Sequence, residues 1–213
     1  MRHLIFGNKY ILNNSLFIHN VAQTVTMNGT VKRTTDHKGG NTAIQFGSGN
    51  LESINAVPSS PVWSFSFWLK SGANSTQNIG VITNNFNGIT NDKIFLVALN
   101  VLANNGQIGG LAFTHNVSFD NVGRTNGETI MDNQWRHYVV IIDTSQPAND
   151  EIKVFINKVQ KSLVKVNNTN TSYSFKSSKV KIGSAMNTTQ ATSPIKMFNY
   201  ALTQTEIDNL YNE

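Results

Sequence analysis

The stretch Asn133 to Asp143, NQWRHYVVIID, crowds Trp135, Arg136, His137, Tyr138 and Asp143 into eleven residues. A histidine close to an acid could move protons in a reaction, the commonest general acid–base arrangement. The spacing argues for a different role. Val139 to Ile142 is an apolar, β-branched-rich run, and along a strand successive side chains leave opposite faces. Trp135, His137, Val139 and Ile141 then point one way, and Arg136, Tyr138, Val140 and Ile142 the other. Arg136 and His137 diverge, and Asp143 opens a turn in which its side chain bonds neighbouring backbone. Both faces are largely apolar, as in a central strand covered on two sides. His137 is read as structural.

The remaining acids offer no better catalytic set. Retaining glycosidases hold two carboxylates about 5 Å apart, whereas the 12 acidic residues here are scattered and form no Glu-x-Asp-x-Glu. Asp150-Glu151 reads as a turn. Without cysteine there is no thiolate nucleophile, thiolate metal site or disulfide. The chain is expected not to be an enzyme, and no catalytic residue is assigned. Calcium is the one cofactor with a signal. TNNFNGITND (Thr83 to Asp92) and FDNVGRTNGETIMDN (Phe119 to Asn133) carry the amide and carboxylate oxygens that calcium takes. With 30 asparagines in 213 residues such clusters also arise from composition. The same stretches hold the candidate ligand-binding residues: Phe86 amid Asn84, Asn85 and Asn87 with Asp92 nearby, and Arg124 beside Asn121 and Asn126. An aromatic ring edged by amides and charges suits a sugar.

The elements that must position these groups are strands. WSFSFWLKS places Trp63, Phe65, Phe67 and Leu69 on one face and Ser64, Ser66, Trp68 and Lys70 on the other. EIKVFINKV and KVKIG alternate in the same way, and TAIQF, LESINAV, NIGVIT, KIFLVALNV and GQIGGLAFTH are further strands. Turns fall at Gly39-Gly40, Gly47 to Asn50, Asn104 to Gly106 and Pro147 to Asp150. Asn28-Gly29, between two alternating runs, predicts a tight hairpin. Trp63, Trp68 and Trp135 are expected to pack inside the sandwich. One helix is predicted at the end, where Thr203 and Glu206 form a capping box and Leu202 and Ile207 a hydrophobic staple.

Composition agrees with one all-β domain. A chain of 213 residues supports one sizeable core, and Asn, Ser and Thr favour short strands joined by polar turns over long helices. The net charge is +5, yet residues 1–150 hold nine basic and eight acidic side chains, close to balance. The excess comes from eight lysines between Ile152 and Tyr200, set singly as edge-protecting lysines are. Nucleic acid is not expected as a partner. No apolar run nears the roughly 20 residues of a membrane helix, and residues 1–14 lack a signal-peptide core. Synthesis in the cytoplasm without membrane insertion is therefore expected.

The order of segments resembles the laminin-G-like, concanavalin A-like lectin jelly-roll family. GGNTAIQFGSGNLESI is similar to its first core strand, SFSFWLKSG to its Phe-x-Phe-Trp strand, and QWRHYVVIID to its Trp-x-His strand. EIKVFINKV resembles its strand ending in Asn-Gly, with Lys158 in place of glycine. KVKIG and FNYALTQTEIDNLY are similar to its closing strand and tail. Where the family carries an acidic pair before the last strand, this chain reads SPIKMFNY, with Pro194 and Lys196. The resemblance covers residues 24–213 and implies a two-sheet antiparallel jelly-roll β-sandwich with a short C-terminal helix. Residues 1–23 have no counterpart and are read as extra strands or an arm pairing with other subunits of a particle. The resemblance implies binding rather than catalysis. The expected function is a non-enzymatic, surface-displayed module, a virion decoration, fibre or adhesion protein with glycan contacts, reaching the outside on a virion or after lysis. A free-standing carbohydrate-binding lectin is the alternative, and a divergent polysaccharide hydrolase a remote one.

Overall fold

The computed structural model describes residues 5–6, 9–11, 16–47, 49–71, 79–84, 96–100, 110–114, 123–125, 132–147, 150–165, 179–183 and 190–213. The strand Val62–Ser71 organises them. Trp63, Phe65, Phe67 and Leu69 are at most 2% exposed and fill the main core, and Ser64, Ser66, Trp68 and Lys70 lie on the opposite face. Along one side it pairs with Trp135–Asp143 in unbroken register, from Lys70 opposite Trp135 to Val62 opposite Asp143. Along the other it meets Gln190–Thr192 and then Ile195–Phe198.

The sheet built on this strand runs Val159–Lys161, Ile152–Ile156, Trp135–Asp143, Val62–Ser71, Gln190–Thr192, Ala43–Phe46, Val31–Thr34. Ile195–Phe198 takes Leu16–Ile18 as a parallel neighbour, which in turn pairs with Val21–Ala22. The second sheet is antiparallel and runs Ile5–Phe6, Lys9–Ile11, Val25–Asn28, Asn50–Ser53, Val180–Ile182, Ile79–Asn84, Leu96–Asn100, Gly110–Thr114, Gly123–Thr125, Leu163–Lys165. Val25, Leu51, Ile82, Val180 and Ile182 of this sheet close on Trp63, Phe65, Tyr138, Val140 and Ile142 of the first. This is the expected two-sheet sandwich. The described part of residues 1–23 is laid onto the chain's own sheets, Lys9–Ile11 against Val25–Asn28 and Leu16–Ile18 against Ile195–Phe198.

A second, smaller core lies outside the sandwich. Val139 and Ile141, on the outer face of Trp135–Asp143, gather with Phe155, Phe198, Leu202, Ile207 and Leu210. They hold the helix Gln204–Asn212 against the sheet. Its start is as read from the sequence: the Thr203 side chain accepts from the Glu206 backbone, and Glu206 Oε2 accepts from Thr203 N at 2.8 Å. Leu202 and Ile207 are both buried in the second core.

Two expectations are corrected. Asn28-Gly29 does not close a hairpin. Val25–Asn28 pairs with Asn50–Ser53 in one sheet, and Val31–Thr34 with Ala43–Phe46 in the other. The strands Val25–Asn28 and Val31–Thr34 on one arm, and Ala43–Phe46 and Asn50–Ser53 on the other, thus form one long bent hairpin that turns the corner between the sheets, its register slipping by one at the bend. Gly29, at φ 76°, makes the bend, and a Cβ on Gly49 would stand 2.2 Å from the Asn28 carbonyl oxygen. The dipeptide signals a left-handed backbone and not which strands it joins. The second correction concerns tryptophan. Trp63 is in the sandwich core, but Trp68, an odd number of residues further on, lies on the outer face, and Trp135 stands on that face with Lys70, whose Nζ is 5.5 Å from its ring centroid.

Gly49→Ala should cost at least about 2 kcal/mol in denaturant unfolding, because the contact is with backbone and cannot relax cheaply. Thr203→Ala should cost about 1 kcal/mol through the lost cap.

Candidate functional site

Of the residues predicted to bind a ligand, Asn84 and Arg124 fall in described strands. Asn84 ends Ile79–Asn84 and stands opposite Val180. Arg124 lies between Ala112 and Val164 in Gly123–Thr125, a strand where the sequence implied a loop. The register Arg124, Ala112, Ala98, Gly80 puts Arg124 three strands across from Gly80, itself four residues short of Asn84. At strand and residue spacings that is a backbone separation of about 20 Å, so the fold does not bring these two together. Asn85, Phe86, Asn87, Asp92, Asn121 and Asn126 lie outside the described residues, as do most of the two calcium candidate stretches. Among the described residues no three His, Asp or Glu side chains converge as metal ligands.

Two polar surfaces stand out. The first is the outer face of the second sheet. Thr26, Glu52, Lys181 and Thr83 share one register row, and Asn28 and Asn50 face each other in the next. Thr26, Asn28, Asn50, Glu52 and Lys181 are partly exposed. Asn28 Nδ2 donates to Asn50 Oδ1 at 3.2 Å, and Lys179 Nζ lies 3.9 Å from Glu52. Alternation builds this ladder: Val25, Leu51, Val180 and Ile182 enter the core, so their neighbours face out. Asn84, the next residue, is paired with core-lining Val180 and is out of step with this row, which ends at Thr83.

The second is a cleft of about 190 Å³ on the outer face of the first sheet, lined by Trp68, His37, His137, Ser66, Lys196 and Glu213 among others. Its wall is the turn after Val31–Thr34, built by one carboxylate. Asp36 accepts from Lys38 N and Gly40 N, each at 2.9 Å, from Thr42 N at 3.3 Å and from the Thr42 hydroxyl. Burial alone would raise the Asp36 pKa, but the bonds from Thr42, Lys38 and Gly40 outweigh it and hold the group below its ordinary value. Gly39 takes φ 83°, and a Cβ on Gly40 would meet Asp36 Oδ2 at 2.7 Å. The turn places His37 flat on Trp68, with ring centroids 3.9 Å apart.

His137 completes the floor. It is 1% exposed, and its Nε2 shares a 2.9 Å hydrogen bond with Ser66 Oγ. Burial, then the neighbouring His37 and Lys196, lower its pKa to about 4. His137 Nδ1 and both ring nitrogens of His37 are buried without a hydrogen-bond partner among the described residues. The Ser66–His137 contact therefore has the spacing of a nucleophile and base but no carboxylate on the far nitrogen to orient the ring. Arg136, on the other face, makes a bidentate pair with Asp132 at 2.6 Å, which takes the Asp132 pKa down to about 2. Lys196, standing where the family pattern has an acid, pairs with Glu213. The charge at this position is reversed and is met by a carboxylate at the helix end.

With the two sheets, the bent hairpin and the capped helix in place, sequence comparison gives the same answer. A laminin-G-type family profile described as the concanavalin A-like lectin/glucanases superfamily matches residues 38–208. The chain belongs to this superfamily. No curated protein matches the sequence. Among solved structures, the concanavalin A-like domain is similar to domain 4 of AbnA, an extracellular arabinanase from Geobacillus stearothermophilus, in complex with arabinotriose. They share 16% identity and a TM-score of 0.62 over 88% of each chain. It is also similar to botulinum neurotoxin type C, whose cell entry depends on two ganglioside molecules, at 16% identity and TM-score 0.58, over 96% of this chain and 51% of the other. A third is the heptameric SAP-like pentraxin of Limulus polyphemus, at 12% identity and TM-score 0.57, over 88% of this chain and 81% of that one. The domain spans about half the length of the neurotoxin chain. At these identities the likenesses establish the fold.

Sequence reasoning missed His37 and Asp36. An Asp three residues before a glycine is a turn signature that was there to be read. The stacking of His37 on Trp68 was not, because it depends on where that turn lands.

Asp36→Ala should lower stability by about 2–4 kcal/mol, since it strands several backbone donors and a hydroxyl at a nearly buried site. Chemical denaturation at pH 7 measures it.

Proposed function

We propose that the domain is a non-enzymatic glycan-binding module that uses the outer face of its second sheet, from the Asn28–Asn50 row across the Glu52–Lys181 row to Thr83. The observation that carries the reading is this in-register polar ladder on a concanavalin A-like sheet. Amides that donate and accept, beside one carboxylate and one ammonium, match the mixed donors and acceptors of sugar hydroxyls. Supporting context comes from solved relatives in complex with arabinotriose or dependent on gangliosides. Among the described residues no carboxylate orients His137 Nδ1 at the buried Ser66–His137 pair, which favours binding over turnover.

The lysines favour a neutral or weakly acidic glycan over a polyanion. Among the described residues, Lys179 and Lys181 belong to the ladder side, whereas Lys153, Lys158, Lys161 and Lys196 belong to the other sheet, so most of this excess charge lies away from the ladder. The setting we propose is display on a particle, as a virion decoration, fibre or adhesion protein. Finding the chain only as a free monomer, absent from purified particles, would contradict the setting and leave the glycan reading in place.

On a glycan array the domain should bind a defined set of sugars. Glu52→Gln and Asn50→Ala should each weaken binding at least about tenfold, the size of one or two lost hydrogen bonds, with no change in far-UV circular dichroism. Loss on Phe86→Ala alone, with both ladder variants unaffected, would move the site to the rim. Hydrolysis of an arrayed polysaccharide would overturn the non-enzymatic reading.

A further inference from the structure

The helix Gln204–Asn212 is held differently from the sandwich. Its apolar contacts, Leu202, Ile207 and Leu210 on Val139, Ile141, Phe155 and Phe198, form a core separate from the one between the sheets. Its polar ties are few and at its ends. Ser64 Oγ donates to Tyr200 O at 2.6 Å and accepts from Leu202 N at 3.2 Å. Gln204 Nε2 donates to Lys158 O at 3.1 Å, Lys38 Nζ donates to Asn212 O at 2.8 Å, and Lys196 pairs with Glu213. Beneath the last turn lie two imidazoles. Tyr211 packs edge-on to His137 with centroids 5.8 Å apart and lies 5.2 Å from Trp68, which also meets His137 at 5.3 Å and the stacked His37.

We propose that His37 and His137 form a proton-operated latch: acidification charges them, releases the C-terminal helix and uncovers the apolar patch Val139, Ile141, Phe155 and Phe198, while the sandwich stays folded. His137 is buried and His37 half-buried, and three of their four ring nitrogens are covered with no hydrogen-bond partner among the described residues, so little stabilises the proton they would gain. The charged groups around them mostly oppose it. Lys38 comes from the His37 turn, Lys196 from Ile195–Phe198, and Lys158 from the hairpin turn, where its Nζ sits 4.7 Å from the Tyr211 ring centroid. Lys70 stands beside Trp68 on the same strand face. The counterweights are Asp36, already bonded within its turn, and Glu213, engaged by Lys196.

The sign follows from linkage. His137 titrates at about 4 when covered and near 6.5 when free, so the open form binds the proton first. Closure is fully present above pH 6.5 and is lost as pH falls from 6.5 to about 4. Between pH 6.5 and 4 the opening equilibrium shifts by about 80-fold from His137 alone, out of a limiting shift of about 300-fold at still lower pH. His37, lowered by burial and Lys38 against the pull of Asp36, adds in the same direction.

Hydrogen exchange followed by mass spectrometry from pH 7.5 to 4, corrected for intrinsic rates, tests this on the intact chain. Residues 204–212 should lose at least about tenfold protection between pH 6.5 and 4.5, together with a rise in binding of an apolar dye, while residues 62–71 and 135–143 keep theirs. In His37→Gln/His137→Gln the helix should stay protected down to pH 4. Helix protection that does not change with pH in the natural chain would overturn the proposal. So would the same pH midpoint in the double variant, or simultaneous loss of helix and central strands. If the double variant does not fold, His37→Gln alone should lower the midpoint, and an unmoved midpoint would equally count against the latch.

Discussion

The structure depends on one constraint: the strand Val62–Ser71 is buried on both faces. Inward it delivers Trp63, Phe65, Phe67 and Leu69 to the core between the sheets. Outward it presents serines small enough for other backbone to approach, and those serines pay for the contact with hydrogen bonds. Ser64 ties Tyr200 and Leu202, and Ser66 ties His137. Apolar residues at these outward positions would leave the chain around Leu202 without its donor and acceptor, and charged ones would hold the helix away. The alternation of large apolar and small polar side chains therefore sets two layers of packing at once. The unbroken register with Trp135–Asp143 transmits both to the neighbouring strand.

Most of this architecture was legible from local pattern. Alternation in WSFSFWLKS, WRHYVVIID and EIKVFINKV marks strands because the side-chain period is 2 wherever a sheet is half or wholly buried. The capping box at Thr203 and Glu206 was readable because its bonds are made within one turn of chain. What escaped depends on partners distant in sequence. Asn28-Gly29 announces a bend, but only the packing of Gly49 against Asn28 shows that the bend passes from sheet to sheet. Trp68 sits on the outer face by simple parity with Trp63. Its burial there needs the His37 turn and Tyr211, 31 residues before it and 143 after it in the sequence.

The sites divide in the same manner. His137 was readable as a strand residue, and so it is, with Tyr138, Val140 and Ile142 beside it in the main core. Its neighbourhood of His37, Ser66 and Lys196 is a product of topology. Lys196 stands where the family resemblance led to an acid being expected. It engages Glu213 at the end of the helix, and in this chain that pair ties the tail to the last strand.

Native-state hydrogen exchange of individual amides in Val62–Ser71 tests the doubly covered strand most directly. If both faces of this strand carry packed cores, Phe65 to Leu69 will exchange only through global unfolding, with the highest protection in the molecule and a denaturant dependence equal to that of complete unfolding. Exchange from this strand through a smaller opening, faster than from Val31–Thr34 at the sheet edge, would contradict the account.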